Sequence, residues 1–266
     1  MNQFIDLWRR PLPHLRPAQA LLLRMLMLPN LFLMKVEGAE HLRETNGKAC
    51  IYAFNHNNAI ESLQVPVMLV FLLGGRRVSF VIDWMFARLP VIGWLMNQID
   101  PVYAYHKRST ISFLERNRPP VIPGEIRQQC LDRLAAGTSI GIFPEGTRNG
   151  DVKRLLKAKP GIGYIVLESH APVIPVGIEF HVSRSCLRVP FIGRMTLRFG
   201  SPMHFDAMSA SFSDLPDSVR RIRQARLAGE VSGTVMLAIA ELCGKSYPYR
   251  DSSSSSKTGN PPEEAL

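Results

Sequence analysis

Short apolar runs of strand length alternate along this chain with longer stretches of helical pattern, and that alternation restricts the fold more than any other feature. "ACIYAFNH" (Ala49–His56) reads as a buried strand entering a polar turn. "AIESLQVPVMLVFLL" (Ala59–Leu73) reads as a mostly apolar helix bent at Pro66, whose ring removes an N–H from the helical ladder. "RRVSFVID" (Arg76–Asp83) is a second strand, and "FARLPVIGWLMNQI" (Phe86–Ile99) carries a short helix. "PGEIRQQCLDRLAAG" (Pro123–Gly137) spaces Ile126, Cys130, Leu131 and Leu134 at helical intervals and ends on Gly137, a C-terminal cap residue. "SIGIF", "GIGYIVLESH" and "APVIPVGIEF" continue as strand, helix and strand. The order predicts an α/β fold: a single layered domain with a central mixed sheet flanked by helices, its functional loops at strand ends.

At 266 residues without an internal Gly/Ser/Pro-rich linker, one large domain is expected over residues 37–250. The serine run Ser252–Ser256 and the Pro/Glu-rich end after it predict a disordered tail, 251–266. Ahead of the domain, "AQALLLRMLMLPNLFLM" (Ala18–Met34) is the most apolar stretch, interrupted by Arg24 and Pro29. It falls short of the roughly 20 uninterrupted apolar residues that span a bilayer, and no small-residue cleavage site follows it. With Trp8, Arg9, Arg10 and Arg16 before it, residues 1–36 are expected to form a helical segment lying in a membrane interface. The alternative is an ordinary core helix.

Charge narrows the partners. Lys and Arg number 32 against 22 Asp and Glu, a formal +10, which favours an anionic surface. The cations are scattered and no RNP1 string or zinc-finger spacing is present, so nucleic acid is the weaker choice beside acidic lipid, and no nucleic-acid partner is expected. Cys50, Cys130, Cys186 and Cys243 lie far apart with no CxxC pair, which suggests neither a zinc ribbon nor a disulfide framework and fits a reducing compartment.

Two loops carry chemistry. "GIFPEGTRNG" (Gly141–Gly150) ends a strand in a glycine-containing turn, where freed N–H groups, the Thr147 hydroxyl and the Arg148 guanidinium suit a phosphate or carboxylate. A tight turn with a solvated Arg is the plain alternative. In "FNHNNAIES", His56 stands where a strand meets a helix, with Glu61 five positions on. Positions i and i+5 do not share a helix face, so the zinc pattern H-E-x-x-H does not apply and no metal is expected. A neutral imidazole deprotonates a hydroxyl when one ring nitrogen faces the substrate and the other donates to a fixed acceptor. Glu61 can be that acceptor, or it can close a capping box with Asn58. "GTSIG" (Gly137–Gly141) and "GIGYIV" (Gly161–Val166) imitate a nucleophile elbow and a dinucleotide loop, but neither lies in the strand-to-helix context those motifs need. The nucleophile is then a substrate hydroxyl.

"NHNNAIES", "FPEGTRN" about ninety residues later and "VIPVGI" (Val173–Ile178) about thirty after that resemble, in order and spacing, the blocks of the glycerolipid acyltransferases, which include the 1-acylglycerol-3-phosphate acyltransferases. The resemblance covers roughly Lys48 to Pro202. It implies transfer of a fatty acyl group from acyl-CoA or acyl carrier protein to a lysolipid hydroxyl, with no cofactor. His56 is the implied base and Glu61 its orienting partner, Glu145, Gly146, Thr147 and Arg148 bind the acceptor and its phosphate, and Pro175 shapes the acyl or donor side. The family usually has Asp where Glu61 stands. Its second block commonly reads "PVDR", whereas "IDPVYAYHKRS" (Ile99–Ser109) has Tyr103 and Ala104 there. Lys107 or Arg108 can substitute for the missing Arg.

The expected reaction is direct attack in a ternary complex, backbone N–H groups stabilising the oxyanion. The positive charge favours a doubly anionic headgroup, so lysophosphatidic acid is the expected acceptor, with a zwitterionic or amino-acid-headed lysolipid as the alternative. A non-catalytic membrane-binding protein is the rival from another class. The expected location is the cytoplasmic face of a membrane, peripheral or monotopic.

Overall fold

The computed structural model of the chain describes residues 8–45, 47–58, 60–88, 90–105, 112–116, 120, 125–186, 189–209 and 217–249. Seven strands form one sheet in the order β1-β7-β6-β2-β5-β3-β4. They are β1 (Met34–Glu37), β2 (Ile51–Phe54), β3 (Val78–Asp83), β4 (Val102–Ala104), β5 (Ser139–Ile142), β6 (Val173–Cys186) and β7 (Val189–Phe199). β6 and β7 pair antiparallel, and every other pairing is parallel. The sheet is therefore mixed, as the sequence predicts.

Helices cover both faces. α1 (Pro17–Leu33), the single turn α2 (His41–Glu44) and α3 (Glu61–Leu72) precede β3, which runs into a 3-10 turn (Trp84–Arg88) and α4 (Pro90–Asn97). The short α5 (Ser112–Arg116) and α6 (Glu125–Ala135) follow β4; α7 (Gly161–Ser169), α8 (Asp206–Ser209) and the long α9 (Asp217–Cys243) complete the order. Strand side chains alternate between faces. Tyr52 and Phe54 join the core made with α1 and α3 residues such as Met27, Val65 and Leu69. Ile51 and Ala53 join the opposite core, with Leu134 of α6, Ile162 of α7 and Val235 of α9. β2 is buried along its whole length, the condition of a central strand covered on both sides.

The N-terminal segment is less separate than expected. The boundary drawn at residue 36 cuts through β1, whose residues pair with Met195–Arg198 of β7. α1 buries Ala20, Leu23, Met27 and Asn30 toward the domain, with Asn30 Nδ2 donating to the Gln64 carbonyl at 2.9 Å. Arg24 turns back to the carbonyls of Trp8 and Arg10, which accounts for a cation inside this apolar run. The opposite face leaves Leu21, Met25, Leu28 and Phe32 exposed. Among the described residues no helix is long and apolar enough to cross a membrane. The tail 251–266 lies outside the described residues.

The end of the domain returns to the functional edge. α9 packs against α7 where Gly163 leaves no room for a β-carbon beside the Ala228 carbonyl, and Gly163 N donates to Ser232 Oγ at 3.2 Å. After α9, Ser246 N donates to the Lys153 carbonyl at 2.8 Å, Leu155 N to the Ser246 carbonyl at 2.9 Å, and Ala158 N to Tyr247 Oη at 3.2 Å.

Candidate active site

Where β2 ends, a side chain continues the ladder. Asn55 is fully buried; its Nδ2 donates to the Ile178 carbonyl at 2.9 Å and its Oδ1 accepts from Ile178 N at 2.6 Å. An amide side chain thus reproduces the donor-acceptor pair of a strand residue. The chain is free to turn one residue later, at His56.

That turn closes on Glu61, the first residue of α3. His56 Nδ1 lies 3.3 Å from Glu61 Oε2. Oε2 also accepts from the backbone N–H of Asn57 at 2.7 Å and of Asn58 at 3.2 Å, and Oε1 from Asn57 Nδ2 at 2.9 Å and Asn58 Nδ2 at 3.4 Å. In return Asn58 Oδ1 accepts from Glu61 N at 3.2 Å. Both sequence readings of Glu61 hold geometrically: it closes a capping box with Asn58, and the same carboxylate faces the imidazole. Glu61 is 0 % exposed and the His56 side chain 13 %. A carboxylate only accepts, so a hydrogen bond to it puts the proton on Nδ1 and leaves Nε2 as the acceptor. The 3.3 Å separation is long for such a bond; catalytic contacts of this kind often tighten only when substrate is bound. Phe143 lies against the ring, 4.5 Å between centroids.

The second loop is bound to this turn. Glu145, 2 % exposed, accepts from His56 N on Oε1 at 3.1 Å and from Asn149 Nδ2 and Leu156 N on Oε2 at 3.0 and 2.9 Å. Asn149 N donates to the His56 carbonyl at 2.7 Å. Both backbone polar groups of His56 are thereby held by the EGTRN loop, and Glu145 is a buried bracket with little surface to offer a substrate. Gly146, Thr147 and Arg148 are exposed. Gly146 has φ +67°, the left-handed region that favours glycine, and the Lys159 side chain lies over it, with Nζ 3.0 Å from where a β-carbon would sit. Among the described residues no partner engages the Arg148 guanidinium, and the N–H groups of Thr147 and Arg148 make no hydrogen bond.

Several site residues escaped the sequence reading. Asn55, Asn57 and Asn149 set the geometry, and Lys159 places another cation beside the loop. The run from Arg148 to Lys159 holds Arg148, Lys153, Arg154, Lys157 and Lys159 against a lone Asp151, a signal that was available. Asp151 stays ionised among them, since the backbone N–H of Lys153, ahead of other contacts, holds its carboxyl below the usual range, and the five cations still outnumber it. Pro175 is buried in β6 opposite Ala53; the "VIPVGI" block meets the site through Ile178 instead. Lys107 and Arg108 lie outside the described residues.

A cavity of about 880 Å³ lies at the opposite ends of the strands, lined by Arg10, Arg43, Lys48, Arg76 and Arg77 among others. It does not include the His56 turn. Nearer the turn, an apolar groove between α1, α3 and α4 is lined by Leu22, Leu26, Leu63, Val67, Leu95 and Ile99. Among the described residues no group of His, Cys, Asp and Glu could hold a metal ion. Burial pushes the Cys50 and Cys243 thiols up and that of Cys130 up to about 12, so none of these three offers a ready thiolate.

This arrangement sets an imidazole against a buried carboxylate beside a loop with an exposed guanidinium, and among the described residues no hydroxyl or thiol of the protein is hydrogen-bonded to the imidazole. Residues 33–179 match the family model described as Acyltransferase, and the chain belongs to the glycerolipid acyltransferase family. The chain is 27% identical over 143 residues to the chloroplastic 1-acyl-sn-glycerol-3-phosphate acyltransferase BAT2 of Brassica napus, covering 53% of this chain and 36% of that protein. It is 29% identical over 143 residues to the 1-acyl-sn-glycerol-3-phosphate acyltransferase of Limnanthes alba, covering 54% and 44%. It thus spans less than half the length of these curated relatives. The crystal structure of the 1-acyl-sn-glycerophosphate (LPA) acyltransferase PlsC from Thermotoga maritima shares the fold, with a TM-score of 0.51, 19% identity and 80% of each chain covered.

Proposed function

We propose that the protein transfers a fatty acyl group from acyl-CoA or acyl carrier protein to the hydroxyl of a lysolipid, with lysophosphatidic acid as the acceptor and phosphatidic acid as the product. The observation that carries this reading is the placement of His56 against Glu61 while its backbone is held by the Glu145 and Asn149 loop. In the proposed step His56 Nε2 takes the acceptor's hydroxyl proton and the oxygen attacks the thioester carbonyl. The tetrahedral oxyanion is stabilised by backbone N–H groups, and it collapses with loss of the thiol, which recovers the proton from His56. Glu61 steadies the imidazolium formed in between. Arg148, the free N–H groups beside it and Lys159 receive the phosphate. The groove that passes Leu63, two residues from Glu61, suits an acyl chain. Named acceptors of the relatives support the choice of lysophosphatidic acid.

A guanidinium that grips phosphate with two N–H groups is poorly replaced by an ammonium. Arg148→Lys should therefore raise the KM for lysophosphatidic acid by about tenfold, one charge-assisted hydrogen bond's worth, with a smaller change for a zwitterionic lysolipid. Steady-state kinetics with both acceptors reads this. An equal effect on both, or a wild-type preference for the zwitterionic headgroup, would replace lysophosphatidic acid with the other acceptor.

The same reading needs a bilayer, from which the acceptor is drawn. Leu21, Met25, Leu28 and Phe32 form an outward apolar stripe on α1, with Arg16 near its start, the pattern of a helix lying in an interface. Each such side chain contributes about 1.5–3 kcal/mol when buried. Phe32→Asp with Leu21→Asp should reduce cosedimentation with phosphatidylglycerol vesicles by about tenfold or more, leaving the circular dichroism spectrum unchanged. Undiminished cosedimentation would remove α1 as the docking element.

A further inference from the structure

Lys245 follows α9, far in sequence from the matched residues 33–179, yet it reaches the catalytic turn. Its Nζ donates to Asn57 Oδ1 at 2.6 Å and to the Asp151 carbonyl at 2.7 Å. We infer that Lys245 is a positioning residue for the His56–Glu61 pair and acts through the Asn57 amide; this rests on the acyltransferase reading above.

The chain of contacts has one polarity. An ammonium only donates, so the Asn57 atom facing Lys245 must be the oxygen, an assignment supported by Asn55 Nδ2, which lies 3.3 Å from the same oxygen. The amide nitrogen must then point the other way. There it donates to Glu61 Oε1 at 2.9 Å and to the Ile178 carbonyl at 3.0 Å. Without the ammonium the Asn57 oxygen keeps only the long 3.3 Å approach of Asn55 Nδ2, and the amide loses its short anchor on that side. It can then tilt between its two acceptors, and a shift of Nδ2 off Glu61 Oε1 loosens the carboxylate where Oε2 meets His56 Nδ1. The second bond, to the Asp151 carbonyl, anchors the ammonium on the chain that follows the EGTRN loop and so fixes where it meets the Asn57 oxygen.

The backbone bonds of Ser246 to Lys153 and Leu155 hold the segment independently of the Lys245 side chain. Lys245→Met therefore keeps the docking and removes the donor. In the full-length protein it should lower kcat by about tenfold to a hundredfold, the effect of small misplacements in a reacting constellation, with KM for both substrates and the melting temperature unchanged. In an Asn57→Ala background the same substitution should cost nothing further, because its target is gone. A parallel measurement needs no turnover: carbethoxylation of His56 by diethyl pyrocarbonate, read by peptide mass spectrometry, should become faster in Lys245→Met while that of the exposed His170 stays constant. If the wild type transfers no acyl group, the acyltransferase reading fails and the labelling still decides the positioning. Unchanged kcat with unchanged His56 labelling would overturn the inference. So would a rise in KM alone, which makes Lys245 a substrate contact, or a loss that adds in full to Asn57→Ala together with a lower melting temperature, which makes it a brace for the segment.

Discussion

His56→Ala should lower acyl transfer by about 10²–10⁴-fold, the usual contribution of a positioned general base, with little change in melting temperature. The site is tied to this residue through its main chain. The His56 N–H donates to Glu145 and its carbonyl accepts from Asn149, and alanine keeps both. The lost side-chain contacts are the 3.3 Å approach to Glu61 and the packing against Phe143, and Glu61 retains its bonds from Asn57 and Asn58. A loss of activity without a loss of fold therefore separates chemistry from scaffolding. Near-normal turnover in a folded variant would remove His56 as the base.

Glu61→Gln should be nearly as severe for activity and should also destabilise. Each partner of this carboxylate is a donor: His56 Nδ1 and the backbone N–H groups of Asn57 and Asn58 on Oε2, and the side-chain amides of the two asparagines on Oε1. A glutamine amide must turn its NH₂ toward one of those sets, leaving buried donors unpaired at about 1–3 kcal/mol for each group. The neutral side chain also loses its hold on the imidazolium. Glu61→Asp keeps the charge and matches the residue usual in the family, so it should retain much of the activity even as the shorter side chain weakens the capping box. Measuring kcat and the melting temperature for the two variants distinguishes the roles. Equal kcat for Gln and Glu, with only stability changed, would make Glu61 a cap and nothing more.

The central strands and the helices between them were legible because each carried its own signal: β-rich apolar runs at Ile51–Phe54 and Ser139–Ile142, and helical spacing at Glu125–Ala135. Strands β1, β4 and β7 were not read. Their four, three and eleven residues show little alone, and β1 is defined by its pairing with a strand some 160 residues away. α9 was readable in principle, since Ala228, Val231, Val235, Ile239 and Cys243 are buried at helical spacing. In the site, the approach of His56 to Glu61 followed from a local turn. The inward orientation of Glu145 did not, because its partners include Leu156 and the backbone of a strand end 89 residues earlier. Asn55 was invisible as a ladder residue for the same reason: its partner is Ile178, 123 positions on.

The central claim is transfer of an acyl group to a lysolipid hydroxyl, and the most direct test is incubation of the purified protein with labelled acyl-CoA and a panel of lysolipids in vesicles, followed by separation of the products. The account predicts label in the diacyl product, greatest with lysophosphatidic acid, with free thiol released in proportion and little label in free fatty acid. Label recovered as fatty acid irrespective of the lysolipid would show a hydrolase, and labelled donor returned intact with every lysolipid, using acyl carrier protein as well as coenzyme A thioesters, would contradict the claim outright.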